Sequence, residues 1–141
     1  MKKNILIIES DFFEQEIFSK VFSDQFRIKF AVNTCDALDV TARFPPEVIV
    51  YDMGVPDAGA LASLQETLRI EAKNFFRHNT PLILIVSDNS ISFERTAREL
   101  GVYYFLIKPF EFKELSEAIF SATNADDTRS AGRTHSNRNA S

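Results

Sequence analysis

The stretch VIVYDMGVPDAG, Val48 to Gly59, decides how this chain is read. Four residues suited to burial, Val48, Ile49, Val50 and Tyr51, run directly into the carboxylate of Asp52, and Gly54 and Pro56 then break the chain. An apolar run without polar alternation is the mark of a strand covered on both faces, as in a parallel sheet. An acid ending such a strand is either a polar stop or the group that the strand exists to hold in place.

Four further runs of strand length surround this one: Ile5–Ile8, Arg27–Val32, Leu82–Val86 and Tyr103–Ile107. Only Arg27–Val32 alternates, which suits a partly exposed position near a sheet edge. Segments of helical period lie between the runs. Phe13, Ile17 and Val21 repeat after Asp11, and Asp36 to Phe44 is stopped by Pro45-Pro46. Leu61, Leu64, Leu68, Ala72 and Phe75 form a stripe on a third helix of about 18–20 residues, roughly 30 Å long. Phe93, Ala97 and Leu100 mark a fourth helix with Gly101 as its left-handed stop, and Phe112, Leu115 and Ile119 mark a fifth.

The order is therefore (βα)₅, and right-handed crossovers place helices on both faces of a doubly wound α/β sheet. The functional crevice of such a sheet lies outside the carboxyl ends of its strands. Asp52 stands at one of those ends. Glu9, Ser10 and Asp11 follow the first strand, Ser87 and Asp88 the fourth, and Lys108 the fifth, so acids and one lysine should converge on one rim.

Composition narrows the function classes. The chain has 141 residues, 26% of them charged and 45% hydrophobic, enough for one domain with an ordinary core. A net charge of −4 and a pI near 5.2 argue against a broad footprint for nucleic acid or anionic membrane. A single cysteine, Cys35, cannot form an internal disulfide; it reads as a small filler at a helix start in a reducing cytoplasm. The opening MKKNILIIES has an apolar run too short for the roughly 7–15 residues of an export signal. No run approaches the roughly 18 residues of a membrane helix. His78 and His135 lack ligand spacing and read as surface residues.

All 14 phenylalanines fall between Phe12 and Phe120. The stretch Asn124 to Ser141 holds only alanines as apolar residues and cannot bury enough surface to order itself. The folded domain is thus expected over 1–122, with 123–141 a flexible tail or the start of a linker.

The succession ILIIESD (Ile5–Asp11), VIVYDMGVP (Val48–Pro56), LILIVSD (Leu82–Asp88) and GVYYFLIKPF (Gly101–Phe110) resembles the receiver domain of bacterial two-component response regulators, as an atypical member. The specific parts are Asp52 with Pro56 four residues on, and Lys108-Pro109-Phe110 ending the fifth strand. The resemblance covers residues 4 to about 122. It implies a flavodoxin-like fold with strand order 2-1-3-4-5, and a signalling module rather than an enzyme. Asp52 would be the phosphoacceptor, and Mg²⁺ would be held by Glu9, Asp52 and the backbone carbonyl of Gly54. Lys108 would contact the phosphoryl group, Phe105 would be the aromatic switch, and the bond before Pro109 would be cis. Partners implied are a histidine kinase or phosphotransfer protein, and a downstream protein on the face of the fourth helix, fifth strand and fifth helix. The protein would be a monomer or weak homodimer.

Two departures qualify this. Receivers usually carry two adjacent acids after the first strand; here they read Glu9 and Ser10, so weak Mg²⁺ binding is expected, with Ser10 or Asp11 completing the set. Asp11 with Glu14 also reads as a capping box opening the first helix. The switch hydroxyl position falls on Val86 by ungapped counting or on Ser87 one place later, and a one-residue slip along a strand reverses the face. The alternative is a pseudo-receiver that binds partners without phosphorylation. A flavin protein needs a small, hydroxyl-rich loop where this chain has ESDFFEQE, and a nucleotide P-loop is missing.

Overall fold

The computed structural model describes residues 2–74, 80–87 and 91–128. Phe75, His78, Asp88 and His135, and the side chains of Leu68 and Ala72, lie outside the described residues. In chain order the elements are β1 (Lys3–Ile8), α1 (Phe12–Phe22), β2 (Phe26–Ala31), α2 (Thr34–Arg43) and β3 (Val48–Gly54). They continue as α3 (Ala58–Asn74), β4 (Leu82–Val86), α4 (Ile91–Glu99), β5 (Tyr104–Ile107) and α5 (Phe112–Thr128). The five strands form one parallel sheet in the order β2-β1-β3-β4-β5, the flavodoxin-like arrangement.

Strand alternation divides the core into two layers. Leu6, Ile8, Ile49, Leu82, Leu84 and Val86 pack with Ala37, Leu61, Leu64, Phe93 and Ala97 of α2, α3 and α4. Ile5, Ile7, Val48, Val50, Ile83 and Ile85 face the other way, against Phe18 and Phe22 of α1 and Leu115, Ala118 and Ile119 of α5. The alternating β2 is an edge strand whose Arg27 and Lys29 are exposed, which protects that edge from further pairing.

Two sequence expectations need correction. In α1 the expected stripe does not face the core: Phe13 is 69% and Val21 39% exposed, while Phe18 and Phe22 are each 2% exposed. The buried pair is selected by neighbours distant in sequence. The Phe22 ring meets Phe26 at 6.2 Å and Phe112 edge-on at 5.7 Å. Cys35 is exposed, in the first turn of α2 behind the cap Asn33, rather than a packing filler. At the other end, α5 continues past residue 122 to Thr128, with Ala122 and Thr123 buried.

Gly101 closes α4 at φ +90°, a left-handed conformation that a side chain strains. A Cβ there would also stand 3.4 Å from the Gln65 amide nitrogen, which donates to the Leu100 carbonyl at 2.7 Å. Gly101→Ala is therefore expected to lower stability by about 1–2 kcal/mol, read as a shift in urea midpoint at unchanged slope. An unchanged midpoint would contradict this.

Candidate functional site

The rim is built from strand ends tied together by main-chain hydrogen bonds. The Glu9 N–H donates to the Ala31 carbonyl at 2.8 Å, the Ser87 N–H to the Gly54 carbonyl at 2.8 Å, and the Lys108 N–H to the Val86 carbonyl at 2.9 Å. The β3–β4 register shifts between Asp52 and Gly54, and Gly54 takes φ +76°. This irregularity lets β3 carry Asp52 to the rim and still end on β4. The Lys108-Pro109 peptide is cis.

Asp52 is held at the centre, its side chain only 3% exposed. Lys108 Nζ lies 2.9 Å from Asp52 Oδ2. The two form an ion pair at the rim. Glu9, 4% exposed, is the second buried acid, and its Oε1 is without a hydrogen-bond partner. Burial and then the Asp52 carboxylate push the Glu9 pKa up to about 8, against the opposing pull of the Asp11 N–H and Lys108. Burial alone would lower the Lys108 ammonium. Its contact with Asp52, reinforced by the charges of Glu9 and Glu14, outweighs that and raises its pKa.

The other predicted residues are placed as follows. Asp11 is exposed and caps α1, its Oδ1 accepting from the Phe13 N–H at 2.8 Å. Ser10 is exposed between β1 and that cap. Val86 is fully buried at the end of β4 in the α2–α4 layer, and Ser87 is exposed one residue beyond. Phe105 is buried and packs on Phe93, ring centroids 6.2 Å apart.

Glu14 is the residue that sequence reasoning missed. A capping box would turn its carboxylate back to the Asp11 N–H, but that donor bonds Glu9 Oε2 at 3.1 Å instead. Glu14 joins Glu9 and Asp52 in a group whose ligating oxygens all lie within 4.8 Å of one another. The available signal was its place in the first turn of a helix that begins at the rim.

A family model for the response regulator receiver domain matches residues 5–120. The chain is a response regulator receiver domain. Receivers are signalling modules of two-component and phosphorelay systems rather than enzymes. Sporulation initiation phosphotransferase F of Bacillus subtilis is 23% identical over 120 residues, 84% of this chain and 92% of that one. Regulatory protein AtoC of Escherichia coli is 27% identical over 113 residues, 79% of this receiver but 23% of AtoC. The receiver thus spans nearly all of one relative and under a quarter of another. Among solved structures, the receiver domain of Saccharomyces cerevisiae Ssk1, crystallised with the histidine phosphotransfer protein Ypd1, matches at TM-score 0.74. It is 20% identical over 88% of this chain and 90% of that one, which supports the fold. Among the described residues no helix is long and apolar enough to cross a membrane.

Proposed function

We propose that this receiver accepts a phosphoryl group on Asp52 from a histidine kinase or phosphotransfer protein. The observation that carries the reading is the buried Asp52 carboxylate with Lys108 Nζ at 2.9 Å. A carboxylate oxygen attacks the phosphorus of the donor phosphohistidine. The P–O bond forms as the P–N bond breaks, and the electron pair leaves with the imidazole nitrogen. Lys108 balances the charge that collects on the phosphoryl oxygens.

Mg²⁺ would be held by Glu9, Asp52 and the Gly54 carbonyl, and when bound it would supply positive charge for the meeting of two anions. The buried Glu9 Oε1, which has no hydrogen-bond partner, fits a cation beside the Asp52 carboxylate, whose Oδ2 already faces Lys108 Nζ. The Gly54 carbonyl already accepts from Ser87 and has a second lone pair to offer. Phosphorylation would be read out through Ser87 and Phe105 to the face of α4, β5 and α5, where a downstream protein binds in the cytoplasm.

The test is an amide NMR titration with Mg²⁺ and beryllofluoride on the wild type and Asp52→Asn. Shifts at residues 52, 87 and 105 are expected in the wild type and absent from the variant. Silence in the wild type at saturating Mg²⁺ would favour a second reading, a pseudo-receiver that binds partners without phosphorylation. The exposed Ser10 and the buried Val86 at two usual functional positions are what favour it.

A further inference from the structure

We propose that Glu14, from the first turn of α1, supplies the second cation-facing acid of this site in place of Ser10 and Asp11. The proposal rests on the Mg²⁺-dependent phosphoacceptor reading above. Three observations converge on it.

Neither adjacent residue is suited to the role. Ser10 offers a neutral, exposed hydroxyl, and the Asp11 carboxylate is committed to the Phe13 N–H at 2.8 Å as the α1 cap. Glu14 has been released from capping, because Glu9 Oε2 takes the Asp11 N–H that a box partner would bond. The helix start is also fastened to the strand end, with the Gln15 side-chain amide donating to the Glu9 carbonyl at 2.8 Å. That contact holds the first turn of α1, and Glu14 with it, beside the rim.

The separations decide that Glu14 is near enough. Ligating oxygens of Glu9, Glu14 and Asp52 lie within 4.8 Å of one another. Opposite ligands of octahedral Mg²⁺ stand roughly 4.2 Å apart. A small side-chain adjustment or one metal-bound water closes that difference. The cluster is more than a group of surface acids. Glu9 and the Asp52 side chain are each over nine-tenths buried, and Glu9 Oε1 has no hydrogen-bond partner. Three acidic side chains share that space with one ammonium, a donor set that suits a divalent cation.

Mg²⁺ alone, titrated calorimetrically into the full chain, tests this. Glu14→Gln is expected to weaken Mg²⁺ binding by about 10–100-fold. Ser10→Ala should leave it unchanged, and Ser10→Asp in the Glu14→Gln background should restore it. Thermal melts without metal confirm that each variant folds. Wild-type affinity in Glu14→Gln overturns the assignment and leaves the phosphoacceptor reading standing. Failure of Ser10→Asp to restore binding also counts against it, because the loss would then reflect a damaged helix start. A wild type that takes up no Mg²⁺ sinks both.

Discussion

Without a divalent cation, the folded state loses stability as the pH rises from about 4.5 towards 8, and Glu9→Gln removes that loss. The Glu9 carboxyl is raised from 4.5 to about 8 in the fold, by burial first and by Asp52 second. Between those values the folded state holds a proton on Glu9 that the unfolded chain has released, so stability falls with rising pH. The contribution is fully favourable below 4.5 and exhausted above 8. Each unit of difference corresponds to about 1.4 kcal/mol, and the full window is worth on the order of 5 kcal/mol. That is a large fraction of a typical total stability of about 5–15 kcal/mol.

Other carboxylates follow their own trends, so the quantity to read is the difference between wild type and Glu9→Gln. Urea unfolding at pH 5, 6.5 and 8 in EDTA should show the two converging at low pH and separating above it, with Glu9→Gln the more stable at pH 8. Saturating Mg²⁺ should displace the proton and flatten the wild-type slope. Parallel pH profiles in EDTA would refute the assignment.

The second large effect is in α1. Phe22→Ala is expected to cost about 3–5 kcal/mol, because the ring is 2% exposed and packs against Phe18, Phe26 and Phe112. Phe13→Ala, on the same helix, should change stability by less than about 0.5 kcal/mol, because its ring is largely in solvent. Urea midpoints at constant slope compare the two. Equal costs would mean that α1 presents the other stripe to the sheet.

This pair also shows where sequence reading stops. Strands β1, β3 and β4 announce themselves because burial on both faces leaves unbroken apolar runs in them, Ile5–Ile8, Val48–Val50 and Leu82–Val86. In α1, Phe13-Ile17-Val21 and Phe18-Phe22 are both valid helical stripes, about one residue step apart. The choice falls to Phe26 and Phe112, which belong to other elements. Glu14 was obscured in the same way. Its local pattern describes a capping box, and competition from Glu9 for the Asp11 N–H, a contact across the β1–α1 junction, overrides it. Asp52 and Lys108 were legible because each ends a strand, so topology alone brings them together.

The ladder Gly54 O to Ser87 N, then Val86 O to Lys108 N, joins the ends of β3, β4 and β5 through backbone atoms alone. The spacing of these three strand ends is thus set by main-chain contacts. A lineage with this scaffold can exchange residues at positions 10, 14 and 87 one at a time, retuning or discarding its chemistry without disturbing the frame, whereas the buried Val86 is also part of the core. Design can use the same freedom: the fold tolerates new occupants at those three positions as a socket board tolerates new plugs.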